Sequence, residues 1–202
     1  MIRFALVAAV AGLVLTGCTE TDPGEAVPPA PTTPTGGASG GGGQPTVAVP
    51  PRPRDISLDG VDPCKLFSPA QLQQIKVSRQ KNDVQTEEVF KGAPVCAMDG
   101  ADGQAYFDYE AWLVTTEGID PWLSGKRNVD AKLVSIDGFP AASIKVRGTT
   151  SFTCQTAVGV ADNQQLMVQF RPTTRGAFTQ EQMCQKSEQA ATLAMQTLKT
   201  LK

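Results

Sequence analysis

Phe152-Thr153-Cys154-Gln155-Thr156-Ala157-Val158-Gly159-Val160-Ala161-Asp162-Asn163-Gln164-Gln165-Leu166-Met167-Val168-Gln169-Phe170-Arg171 is the stretch on which the fold turns. Two runs rich in apolar and β-branched residues flank Asp162-Asn163, a pair that tolerates positive φ. That spacing predicts a tight hairpin with strands over 152–161 and 164–171. Immediately downstream, Thr179 and Gln182 make a capping box that opens a helix running to about Lys199. Met183, Ala190, Leu193, Ala194, Leu198 and Leu201 fall near one face of that helix, and this face is expected on the sheet.

Working outward toward the N-terminus, further strands are predicted at 131–136, 141–147 and 104–114. In the last of these, Tyr106, Asp108, Glu110 and Trp112 alternate against Phe107, Tyr109, Ala111 and Leu113, so one face is buried and the other partly wet. Shorter strands are expected at 83–90 and 95–98, followed by a turn through Asp99-Gly100-Ala101-Asp102-Gly103. Ile119-Asp120-Pro121-Trp122-Leu123 suggests a short helix capped by Asp120. Ser68, with Pro69 at the first helical position, opens another short helix that reaches Ile75. Helix, strands, then helix implies an α+β fold: a mainly antiparallel, twisted sheet with a short N-terminal helix and a long C-terminal helix packed on it, and two disulfides.

The start of the chain gives an address. Arg3 supplies one early positive charge, residues 4–15 a short apolar core, and Leu15-Thr16-Gly17-Cys18 reads as a lipobox. A spanning helix needs about 20 apolar residues, and this run breaks sooner, at Thr19-Glu20-Thr21-Asp22. The expected organisation is therefore a signal peptide at 1–17, a lipidated Cys18 with a disordered Pro/Gly/Thr-rich tether at 18–57, and one extracytoplasmic domain at 58–202. More than one acyl chain on Cys18 carries anchoring past the marginal binding of a single chain. A flexible tether of this length spans on the order of 35 Å, and its prolines lengthen it.

Once Cys18 is assigned to lipid, Cys64, Cys96, Cys154 and Cys184 remain, an even set that reads as two disulfides in an exported domain. Three connectivities are open. Pairing Cys64 with Cys96 and Cys154 with Cys184 closes the shortest loops, roughly 30 residues each, and is favoured at about 3 kcal/mol per bridge in the chain-entropy view. The spacings are too long for structural zinc, and the absence of a Cys-x-x-Cys argues against a redox pair.

Several chemistries fall on composition. The chain has no histidine, which removes Ser-His-Asp and Cys-His catalysis, histidine metal ligation and a histidine pH switch. Its formal net charge is -2, or -3 once Arg3 leaves with the signal, so there is no basic field for nucleic acid. Ser124-Gly125-Lys126 lacks the Ser-x-x-Lys spacing of penicillin-recognising enzymes. Asp108 and Glu110 share a strand face and read as solvated side chains before they read as an acid-base pair. The Asp99–Gly103 stretch lacks the alternating oxygens of a calcium loop. No catalytic residue, metal ligand or cofactor is assigned. Trp112 and Trp122 are the only ligand-contact candidates, as indole platforms for sugar or lipid, against ordinary packing.

The lipobox, the tether, Val61-Asp62-Pro63-Cys64 before a short helix, Gly92-Ala93-Pro94-Val95-Cys96, Gly138-Phe139-Pro140-Ala141-Ala142 and a second cysteine pair leading into a C-terminal helix occur here in order. Together they resemble an actinobacterial envelope lipoprotein family of unknown function. The resemblance implies an extracytoplasmic domain and the sequential disulfides, and brings no activity or site residues. In size, cysteine count and element order the domain is also distantly similar to extracellular sensor domains of some actinobacterial serine/threonine kinases. The expected role is a membrane-anchored, non-enzymatic module that engages an envelope protein. A lipid or small-molecule carrier is the alternative, and an enzyme without histidine chemistry comes third.

Overall fold

The structure, a computed structural model, describes residues 47–148 and 152–202. The signal peptide, Cys18 and most of the tether lie outside the described residues. A short 3-10 turn, Pro63–Leu66, is capped by Asp62 and leads into helix α1, Pro69–Gln74, where Ser68 and Gln71 form a capping box. The strands are β1 (Val77–Val84), β2 (Pro94–Asp102), β3 (Ala105–Val114), β4 (Val129–Ile136), β5 (Phe139–Val146), β6 (Cys154–Ala161) and β7 (Gln164–Pro172). Helix α2 (Asp120–Leu123) lies between β3 and β4, and helix α3 (Gln180–Leu201) closes the fold.

The seven strands form one antiparallel sheet in the order β1-β2-β3-β7-β6-β5-β4. Two meanders, β1–β3 and β4–β7, thus meet only where β3 pairs with β7. Their turns explain the registers. Asp137-Gly138 has positive φ at both residues, the signature of a type I′ turn between β4 and β5. At Asp162-Asn163 only Asn163 takes positive φ, and the pairing shifts register between Gly159 and Ala161.

The inner face of the sheet carries Phe107, Tyr109, Leu166, Val168 and Phe170 against Met183, Ala190, Ala194, Met195 and Leu198 of α3. Small alanines let the helix approach the sheet, and each fully buried large apolar side chain contributes about 1.5–3 kcal/mol. One polar pair fixes the docking. Ser187 Oγ donates to the Val168 carbonyl at 2.9 Å, so Thr156 Oγ1 donates to Ser187 Oγ at 2.6 Å. On the outer face, the connection from β3 to β4 crosses half the sheet and packs Ile119, Trp122 and Leu123 on Trp112, Ala157 and Met167.

Two disulfides, Cys64–Cys96 and Cys154–Cys184, tie the 3-10 turn to β2 and the first turns of α3 to β6. They are the sequential pairing.

Five local expectations change. The strand expected at 83–90 lies earlier, at Val77–Val84, because pairing with β2 rather than an apolar pattern defines it. The strand expected at 95–98 continues through the expected Asp99–Gly103 turn to Asp102, and the reversal narrows to Gly103-Gln104. Asp120 is the first residue of α2, whose N-cap is Ile119 without a side-chain cap bond. Leu201 is 49 % exposed, because the helix runs past the sheet before it ends. Residues 47–57, read as the end of the tether, pack on the domain: Ile56 N–H donates to Val160 O at 2.8 Å, and Arg52 pairs with Asp55 and Asp162. Ile56 is buried and Val49 packs on the outer cluster, so apolar residues spaced too widely to register as a strand still hold this segment down.

Candidate functional site

Trp112 and Trp122 come together in the outer cluster, and both are buried there. Their indole donors are already engaged. Trp112 Nε1 donates to Glu110 Oε2 at 3.0 Å, and Trp122 Nε1 donates to Gln165 Oε1 at 2.8 Å. Gln165, wholly buried on β7, donates in turn to the Glu117 and Gly118 carbonyls at 3.1 Å each. Arg127 Nη2 donates to both Glu117 oxygens at 2.7 and 2.6 Å, and the guanidinium stacks 4.0 Å over the Trp122 ring. This network pins the crossover loop to the sheet and presents no indole face to solvent. Sequence reasoning missed Gln165, Glu117 and Arg127, since their partners sit far along the chain. Three glutamines lie along β7, and nothing in their spacing marks Gln165 as the wholly buried one.

Beyond the crossover, the outer face is bare and polar. Asp99 on β2 sits directly opposite Asp108 on β3, with Arg79 opposite Asp99 on one side and Arg171 opposite Asp108 on the other. Each arginine pairs with its neighbouring aspartate at 2.9 Å. Like charges set opposite each other destabilise a sheet, so the two arginines offset a cost the sequence could have avoided. Asp108 and Glu110 do share a face, as the alternation predicts, but Asp108 pairs with Arg171 and Glu110 with Trp112, not with each other. Ser124 Oγ donates to the Pro121 carbonyl and accepts from Lys126 N–H, closing a local turn.

Titratable groups with displaced pKa values are scattered. A hydrogen bond from Arg147 lowers Asp130, a backbone hydrogen bond from Val84 lowers Asp83, and hydrogen bonds to Asp55 and Asp162 raise Arg52. None of these shares a cavity with another, so they make no convergent acid-base pair. Among the described residues, no three Cys, Asp or Glu side chains gather as a metal site.

Tyr109 differs, since burial alone pushes its phenol far above the usual range, and its hydroxyl has no partner among the described residues. Tyr109→Phe is therefore expected to leave the fold intact and to stabilise it by about 1 kcal/mol, removing an unsatisfied group. The pH signature has a definite sign. Above about pH 10 the unfolded chain loses a phenolic proton that the folded chain retains, so stability falls by about 1.4 kcal/mol per pH unit in the parent. Urea denaturation at pH 9 to 11 should show the Tyr109→Phe gain widening with pH; a constant gap would refute the assignment.

Several cavities open among the described residues. A cleft of about 410 Å³ lies beneath the Val49–Arg52 strap, and one of about 220 Å³ lies beside Glu110. A mainly apolar notch of about 250 Å³ lies between Phe152, Phe178 and Met183. A groove of about 620 Å³ separates the first half of α3 from β4 and β5.

No curated protein and no solved structure matches the chain. A family model described as a protein of unknown function, DUF3558, matches residues 13–197. Covering all but the last five of the described residues, with all four of their cysteines, that match places the chain in the DUF3558 family.

Proposed function

We propose that the chain is an actinobacterial envelope lipoprotein. Cys18 anchors it at the extracytoplasmic face of the membrane, and the domain docks an envelope protein through the bare half of its outer sheet face. The lipobox and the Pro/Gly-rich segment support the address. The Asp99–Asp108 pair carries the docking reading: two opposed carboxylates held on a rigid, uncovered sheet and flanked by Arg79 and Arg171. The partner that fits presents a cationic centre bordered by acidic groups. A lipid-carrier role has less support, since the apolar notch between Phe152, Phe178 and Met183, about 250 Å³, falls below the roughly 300–1,000 Å³ of typical ligand pockets, and the larger groove beside α3 is edged by charged side chains. No catalysis is assigned to the domain.

A photoreactive residue placed at Ala97, beside the acidic pair, tests docking in cells making the full chain. An adduct is expected, and it should disappear when Asp99 and Asp108 are changed to Lys. An adduct that survives this reversal, or the absence of any adduct, overturns the docking reading. For the anchor, Cys18→Ala is expected to release the protein from the membrane fraction; retention there with an acyl label would refute the lipobox.

A further inference from the structure

The groove between α3 and the β4–β5 edge has walls of opposite charge. Helix α3 runs diagonally: its C-terminal end is held to the β4–β5 turn by the Lys199–Asp137 ion pair, while its first turns are drawn to β6 by Cys154–Cys184. A wedge therefore opens above the inner face of β4 and β5, with a volume of about 620 Å³, inside the range of ligand sites. The helical wall carries Glu181 and Glu188 one above the other, with Gln185 between them. The sheet wall carries Lys132 and Lys145, with Ser143 opposite Lys132.

These charges do not satisfy each other. Among the described residues Lys132, Glu181 and Glu188 form no ion pair, and Lys145 reaches only Asp130, at 4.0 Å. Asp130 in turn is taken by Arg147 at 2.7 Å. Two walls of opposite sign, joined by no ion pair among the described residues, suit a ligand that brings both charges itself. The lining adds the Ser143 hydroxyl and the amides of Gln180 and Gln185, which donate to the Thr153 carbonyl at 3.0 Å and to Glu181 Oε1 at 3.3 Å and leave their oxygens to accept from a peptide N–H.

We propose that this groove binds a short unblocked peptide, its ammonium group against Glu181 and Glu188 and its carboxylate against Lys132 and Lys145. The site lies on the face opposite the Asp99–Asp108 pair, so this assignment and the docking reading fail independently.

Calorimetric titration of the full chain in detergent with trialanine tests it. Trialanine is expected to bind, its N-acetylated and C-amidated forms about tenfold more weakly, the ratio that about 1.4 kcal/mol produces. Lys132→Glu and Glu188→Lys should each remove binding, and raising the salt should weaken it, since both walls are open to solvent. Thermal unfolding of each variant confirms that it is folded. No binding of trialanine, equal binding of the blocked peptides, or wild-type affinity in both folded variants would overturn the proposal.

Discussion

Replacing Cys154 and Cys184 together by Ala is expected to lower the unfolding free energy by about 3 kcal/mol, measured by denaturant titration of the full chain. The bridge closes a separation of 30 residues that contains all of β7 and the loop leading to α3, so its loss frees much of the unfolded ensemble. Cys154 is fully buried, and the remaining alanine leaves part of that volume empty. The effect should be directional in space. The first turns of α3 lose their tie to β6, while the Lys199 end keeps its ion pair with Asp137, so amide exchange should rise most near Gln180–Cys184. A loss below about 1 kcal/mol, or uniform exchange along α3, would show that packing alone seats the helix. Removing Cys64–Cys96 as well, with a separation of 32, brings the expected loss to about 6 kcal/mol, a large share of the about 5–15 kcal/mol a domain holds.

Gly100→Ala is expected to cost about 3 kcal/mol, through crowding rather than cavity formation. A β-carbon at this position would lie 2.3 Å from Phe107 Cε2 and 2.7 Å from the Lys76 carbonyl oxygen. Neither neighbour has room to yield. Phe107 is packed edge-on against Tyr109 and Phe178, with ring centroids 5.6 and 5.8 Å away, and the Lys76 carbonyl holds Ala101 N–H at 3.1 Å. Thermal unfolding should fall by roughly 6–12 °C for a chain of this size. Gly118→Ala is the matched control: its β-carbon would meet nothing nearer than 3.6 Å, and its melting temperature should hardly move. Equal shifts in the two variants would sink the crowding account.

What the residues disclosed in advance followed local chemistry. The β6–β7 hairpin, the Ser68 cap, the Thr179–Gln182 capping box and the apolar stripe of α3 as far as Leu198 depend on neighbours within a few positions, and each stands in the structure. β1 did not disclose itself, because seven of its eight residues are exposed and an edge strand wet on both faces has no alternation to read. Val84 and Phe90 drew the expected strand too late for the same reason: they are apolar, yet β1 ends at Val84 and Phe90 sits in the following loop. The candidate surfaces were harder still. Asp99 and Asp108 oppose each other through the β2–β3 register, and the groove needs β4, β5 and α3 together. Sequence spacing carries the first kind of information and not the second.

The meeting of the two meanders at β3 and β7 has a consequence in time. When the chain emerges N-terminus first, β1, β2 and β3 are made long before β7, and Phe107 waits for Pro172, Val114 for Gln165. Until then β3 is an open edge, and the face that α3 will cover lies exposed. Cys64 and Cys96 both belong to this early portion and can be oxidised during the wait, whereas Cys154 must await Cys184 on the last helix. The closing helix is thus the last tumbler of a lock. A chain interrupted before residue 180 would hold its first bridge, an unsealed sheet and a solitary thiol at Cys154, the form most apt to be caught by a foldase or lost to aggregation.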